Sequence, residues 1–144
     1  MIFYLDIKLM EKMCHRFAVA IFDTYEDPIA DFEEHDVPLL DSALQAPRQT
    51  FDRKDLYPTL PEKATVLYYH LNKNHPFKNG NKRIATASLL VFLHLNHHWL
   101  NVPKGELLEK TLEIAQSNPS EREHILENTT RWIEKNMVSL HNDS

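Results

Sequence analysis

The sequence predicts an all-α fold, a compact helical bundle around one buried central helix with at most one short β-hairpin. Three observations carry this. Apolar residues recur at spacings of three and four along most of the chain, the pattern of amphipathic helices. Residues 84–95 are apolar around nearly the whole helical circumference, as in a helix covered by others on most sides. Two capping-box signatures, Thr59 with Glu62 and Ser120 with Glu123, mark helix starts. At 144 residues and 42% apolar composition, the chain closes one ordinary core, so residues 1–144 form a single domain.

Taken in order, residues 5–25 place Met10, Met13, Cys14, Phe17 and Ile21 on one helical face, and Asp27 with Pro28 ends the helix. Residues 26–41 hold seven acids in sixteen positions and read as a solvated connection. Pro38 opens a short helix with Leu39, Leu40, Ala43 and Leu44 inside, and Pro47 closes it. Residues 48–58, RQTFDRKDLYP, break the helical pattern. Thr50 and Phe51 favour strand, DRKD a turn, and Leu56 and Tyr57 a returning strand; a small hairpin and a plain loop both fit.

Thr59, Pro61 and Glu62 start a helix running to about Lys73, with the inner stripe Leu60, Ala64, Leu67, Tyr68 and Leu71. The apolar helix comes next. Pro103 then opens a helix with the stripe Leu107, Leu108, Thr111, Leu112 and Ala115. The last helix, capped by Ser120 and Glu123, carries Ile125, Thr129, Trp132, Ile133 and Met137.

A net charge of −5 gives no electrostatic case for a partner such as nucleic acid. No run approaches the ~18 to 20 apolar residues of a membrane span. The N-terminal MIFYLDIKLMEK carries Asp6 and Lys8 and no small-residue cleavage site, so it does not read as a signal peptide, and a cytoplasmic protein is expected. The single cysteine, Cys14, excludes an internal disulfide and reads as core packing. His94, His97 and His98 cluster without a second ligand group at matching spacing, so no metal site is expected there.

The chemistry concentrates in residues 75–83, HPFKNGNKR. The chain has two glycines, Gly80 and Gly105, where average usage of about 7% would give roughly ten. Each is therefore expected to meet a backbone need. Gly80 lies just before the apolar helix, whose first N–H groups and positive dipole end point back into the loop. Lys82 and Arg83 in the first turn oppose that dipole unless a negative ligand compensates them, which marks an anion site. Lys73, Lys78, Lys82 and Arg83 surround His75 in the sequence and favour a neutral imidazole. Such a base beside a polyphosphate site suits deprotonation of a hydroxyl that attacks phosphorus. Phe77 anchors the loop in the core. The stretch is not a Walker A loop, which needs a second glycine five residues before the GK[ST] element, and no paired carboxylates or nucleophile elbow lie near it.

HPFKNGNKR resembles the signature of the Fic/Doc (Fido) family, HPFx[DE]GNGR in Fic-type members and HxFx[DN]xNKR-like in the death-on-curing (Doc) branch. The likeness runs on through LDSALQAPRQTF, DLYPTLPEKA and RIATASLLVFLHLN and spans most of residues 39–135, with the Doc branch closest. It implies a Fic/Doc-like domain whose flap hairpin is residues 48–57. It also implies a toxin-type transferase moving AMP or the terminal phosphate from ATP or another nucleoside triphosphate, with Mg²⁺, to a hydroxyl of a target protein. By position, His75 would be the general base and Phe77 the loop anchor. Lys78, Gly80, Asn81, Lys82 and Arg83 would bind the phosphates, and Thr50 and Phe51 in the flap would dock the target's backbone.

The chain departs from the family pattern in three places. Asn79 stands where the Mg²⁺-binding acid usually does, and an amide oxygen coordinates without charge, so metal binding is weakened. Lys82 follows the Doc branch while Gly80 follows the Fic type, which leaves AMP and phosphoryl transfer both open. Thr86 occupies the place of the distal arginine. The self-inhibiting motif [ST]xxxE[GN] is unmatched, because Arg122 and Lys135 follow Ser117–Glu121 and Thr130–Glu134. An antitoxin supplied in trans is therefore implied. The alternatives are a catalytically weakened nucleotide- or partner-binding module of the same fold, and a purely structural helical domain.

Overall fold

A widened turn shapes the first helical run. In the computed structural model, which describes residues 1–22 and 28–140, α1 (Ile7–Leu9) and α2 (Arg16–Phe22) flank a π-helical segment, Met10–His15. The Asp6 carboxylate caps the run, accepting from the Leu9 N–H at 2.8 Å. Met10, Cys14, Ala18 and Phe22 are its buried residues. Fourfold spacing drifts by about 40° per step around an α-helix, and the π turn, with more residues per turn, absorbs that drift. The expected stripe is corrected accordingly: Met13 and Phe17 are only half-buried, and Ile21 is exposed. Tyr25 and Asp27, at the expected helix end, lie outside the described residues. Cys14 packs in the core, and burial pushes its thiol pKa up to about 12.

Asp36 caps α3 (Val37–Gln45), which buries Leu40, Ala43 and Leu44 but leaves Leu39 exposed on the outer side of the first turn. Pro47 sits buried in a 3₁₀ turn, Ala46–Arg48. The hairpin exists: β1 (Thr50–Phe51) pairs antiparallel with β2 (Lys54–Asp55), Thr50 opposite Asp55. Its return strand comes earlier than Leu56 and Tyr57. Asp52 and Arg53, at φ 53° and 68°, make a left-handed two-residue turn that closes the strands at once.

The Thr59–Glu62 capping box starts α4 (Leu60–Asn74), which is buried on most sides and packs on α3 and the helices that follow it. It shares the centre with α5 (Asn81–Leu95), buried without a gap from Ile84 to Leu93. The bundle thus has two central helices where the sequence pointed to one.

After α5 comes β3 (His98–Leu100). Then α6 (Lys104–Gln116) buries Leu107, Lys110, Thr111 and Ile114, while Leu108 and Leu112 remain exposed, contrary to the expected stripe. The last cap is Asn118 with Glu121, two residues before Ser120 and Glu123. Pro119 opens a 3₁₀ turn there, ahead of α7 (Arg122–Asn136). On α7, Ile125, Thr129 and Ile133 are buried and Trp132 is half-buried.

A second strand pair joins β3 to β4 (Met137–Ser139), Trp99 opposite Val138, which three-residue strands are too short to announce by alternation. No group of three His, Cys, Asp or Glu among the described residues could hold a metal. Instead, His98 Nδ1 bonds the Asn96 carbonyl at 2.7 Å, and His94 meets Trp99 edge to face. No helix of the described residues is long and apolar enough to cross a membrane.

Gly105 proves to have no backbone need. It lies in the first turn of α6, and a Cβ there would meet nothing within 4 Å. Gly105→Ala is therefore expected to stabilise the protein by about 0.4–1 kcal/mol through the unfolded chain's lost freedom, read by chemical denaturation. An unchanged or lower midpoint would contradict the open environment at this position.

Candidate active site

The motif loop begins where α4 stops. His75 takes a left-handed conformation, φ 50° and ψ 56°, uncommon for a residue with a Cβ, and this turns the chain out of the helix. Pro76 and Phe77 then drop into the core, with Phe77 only 5% exposed. The Phe77 ring packs among Phe32, His15 and His35, at centroid distances of 5.9, 6.2 and 6.2 Å. Asn81 closes the loop with both ends of its amide. Its Oδ1 accepts from the Phe77 N–H, and its Nδ2 donates to the Phe77 carbonyl, each at 2.9 Å. The Asn81 side chain is thereby committed to loop geometry, leaving its backbone to the helix start.

That start leaves its N–H groups without a side-chain cap. Gly80, at φ 74°, is the N-cap residue of α5, no side chain caps the helix, and its first turn holds no acid. The first intrahelical bond runs from the Ile84 N–H to the Gly80 carbonyl at 2.9 Å, so the N–H groups of Asn81, Lys82 and Arg83 lie ahead of it. Gly80, Asn81, Lys82 and Arg83 line one cavity of about 320 Å³, closed on the other side by Leu108, Thr111 and Leu112 of α6.

Beneath Thr111 lies a buried hydroxyl network. Thr111 Oγ1 donates to the Leu107 carbonyl at 3.0 Å and pairs with Thr86 Oγ1 at 2.7 Å and with the Tyr68 hydroxyl. Thr86 also donates to the Lys82 carbonyl at 2.8 Å, tying the network to the first turn of α5. Burial raises the Tyr68 pKa above its ordinary value, so the phenol stays neutral.

The remaining expected site residues, His75, Lys78, Asn79, Thr50 and Phe51, do not line this cavity. His75 is exposed, and no described side chain or backbone group bonds its ring. Lys78 and Lys82 are exposed, and Arg83 is half-buried, donating to the Phe22 carbonyl at 3.4 Å. Lys73 turns away to hold the end of α6, donating to the Ser117 carbonyl at 2.5 Å and to that of Ala115 at 3.3 Å. Thr50 and Phe51 stand exposed on the hairpin and do not line the cavity. A larger cavity of about 580 Å³ lies between α4 and α7, but its walls carry four glutamates and one cation, Arg131, ion-paired to Glu127. Phosphate is repelled there.

Asn79 has a structural partner. Its Oδ1 accepts from the Ala30 N–H at 2.5 Å, and the Ala30 carbonyl bonds His15 Nε2 at 2.7 Å. Next to it Ile29 seats on Gly80, where an added Cβ would lie 3.1 Å from both Ile29 Cγ1 and Cγ2. The Asp36 N–H reaches the Pro76 carbonyl at 2.7 Å. Residues 28–36 are thus a brace across the motif loop, with Ile29 and Phe32 buried, and not merely the solvated connection their acids suggested.

Magnesium favours charged oxygens, the loop supplies none, and the one amide oxygen at position 79 already accepts a hydrogen bond. The residues present do not fit a protein-held Mg²⁺. Sequence reasoning missed the brace and the roles of Leu108 and Leu112. The available signal was the α6 pattern, in which leucines fill adjacent positions and cover more than one face.

The family model of the Fic/DOC family matches residues 4–93, well over half of the chain and including the whole motif loop. The chain belongs to the Fic/DOC family. It is also similar to the toxin Doc of Mycolicibacterium smegmatis (strain ATCC 700084 / mc(2)155), 41% identical over 66 residues, which are 46% of this chain and 51% of that protein. The chain spans about half the length of this relative. No solved structure matches it. The helical architecture with its small hairpin is that expected of the Fic/DOC family, whose matched region ends inside α5; the α6 wall of the cavity lies beyond it.

Gly80 is the glycine that cannot be replaced. Gly80→Ala forces a Cβ into a left-handed backbone and against Ile29, and a loss of about 1–3 kcal/mol is expected by denaturation. Ile29→Ala in the same chain should recover the steric part and leave the conformational part. Strict additivity of the two changes would show that Ile29 does not press on Gly80.

Proposed function

We propose that the protein is a Doc-like toxin-type transferase that moves a phosphoryl or AMP group from a nucleoside triphosphate to a hydroxyl of a target protein. The uncapped start of α5 carries this reading: a left-handed glycine, first-turn N–H groups and two adjacent cations line one cavity. The phosphate chain lies along Gly80–Arg83, with the Arg83 guanidinium and the Lys82 ammonium on its oxygens. The loop offers Mg²⁺ no carboxylate, so the metal would come only as part of the triphosphate.

His75 acts as general base. Its ring is exposed and not bonded by any described residue, and it takes the target hydroxyl's proton as that oxygen bonds to phosphorus. The bond to the leaving group breaks in the same displacement, releasing pyrophosphate in AMP transfer or the nucleoside diphosphate in phosphoryl transfer. The exposed hairpin at Thr50 and Phe51 takes the target's backbone as an added strand. Membership of the Fic/DOC family and similarity to a protein named toxin Doc support the reading, together with an antitoxin in trans and action in the cytoplasm. The uncharged and engaged Asn79 favours a second reading, a nucleotide- or partner-binding module with the same anion site and no transfer.

Incubating the purified protein with a cell lysate and ATP labelled at the α or γ phosphorus separates these. Label carried only from the γ position means phosphoryl transfer, and label from the α position means AMP transfer. Binding of ATP without labelling from either would establish the module instead. In an active protein, His75→Ala should reduce labelling by roughly 10²-fold or more, the range of general base catalysis. Full activity in that variant would remove His75 from the chemistry.

A further inference from the structure

The hairpin is two residue pairs long, and all four of its strand residues fall on the exposed side. Two such strands do not hold a position by themselves, so whatever fixes the hairpin lies beneath it. Lys63, in the first turns of α4, is 1% exposed. Its ammonium donates to Asp55 Oδ2 on β2 at 3.1 Å and to the carbonyl of Pro47, shortly before β1, at 3.4 Å. One buried cation therefore reaches both roots of the hairpin.

The surroundings complete its coordination. The Lys63 ammonium lies 5.5 Å from the centroid of the Tyr4 ring, and the Arg48 guanidinium, also at the hairpin's entry, stacks 4.5 Å over the same ring. Among the described residues, a further tie at this level is the backbone bond from the Leu56 N–H to the Gln49 carbonyl, at 2.9 Å. A buried ammonium without acceptors is costly, so Lys63 and the hairpin roots constrain each other. Burial works to lower the Lys63 pKa, but the Tyr4 side chain and the Asp55 carboxylate beside it outweigh that and raise it, so the group stays charged.

We infer that Lys63 is a positioning residue that fixes the hairpin where a target strand can add to it. This rests on the hairpin's docking role in the proposed transferase. Asp55 is half-exposed, so Asp55→Asn breaks the ion pair without opening the core. Lys63→Met removes the ammonium and keeps most of the stem.

In both variants, amide hydrogen exchange across residues 49–56 should speed up several-fold. The KM for the target should rise about tenfold, the scale of one lost charge-assisted hydrogen bond. The kcat at saturating target and the Kd for ATP should not move. Unchanged exchange in Asp55→Asn overturns the inference, as does faster exchange with an unchanged KM. If Lys63→Met fails to fold, Asp55→Asn decides alone. A wild-type protein that labels nothing would sink the transferase reading, while the exchange data would still decide whether Lys63 holds the hairpin.

Discussion

The structure depends on how the first turn of α5 is held. A helix start with cations beside it and no capping side chain is unfavourable by itself, because the cations face the positive end of the helix dipole. It persists because α5 cannot shift: ten consecutive residues, Ile84 to Leu93, are buried, and α4 packs along them. The loop ahead of the helix is equally determined. Asn81 clamps the Phe77 backbone, the Phe77 ring sits in the core, and Ile29 closes over Gly80. A start supported in this way holds its uncapped N–H groups in a fixed arrangement, which is what preorganisation for a negative ligand requires.

Several features that look unrelated serve this arrangement. The acidic segment before α3 contributes its few apolar residues and two backbone N–H groups, those of Ala30 and Asp36, to the brace over the loop, and its described acids Asp31, Glu33, Glu34 and Asp36 stay exposed. The hydroxyls of Thr86, Thr111 and Tyr68 form a neutral hydrogen-bonded layer in which Thr111 alone lines the cavity and Thr86 is 0% exposed. Asn79 belongs with the brace. Its amide oxygen accepts a backbone N–H, a task that requires no charge, so the loss of the family's acid at this position is matched by a structural use of the amide.

Much of this was legible in the sequence, and the rest was hidden for physical reasons. The all-α class, the α4 start and the burial of α5 came from local signals: the Thr59–Glu62 box and an apolar run wide enough to cover a whole circumference. Gly80 was legible through its scarcity and its cationic neighbours. The π turn was hidden because apolar residues four apart fit an α-helix as well. On α6, Leu107, Leu108, Thr111 and Leu112 offer two overlapping stripes, and only the packing partner chooses Leu107 and Thr111. The contact between Asn79 and Ala30 joins residues 49 apart, and the pairing of β3 with β4, such as Trp99 with Val138, likewise spans a separation that no local pattern reports. The same is true of Lys63, which reads locally as one more surface lysine on a capped helix.

The most direct test of the account is a titration of the isotope-labelled protein with ATP and Mg²⁺, followed through backbone amide resonances. The account predicts saturable shifts centred on the amides of Gly80, Asn81, Lys82 and Arg83, with smaller ones at Leu108, Thr111 and Leu112. Saturable shifts elsewhere with those amides unmoved, or no shifts at all, would contradict the assignment of the α5 start as the phosphate site.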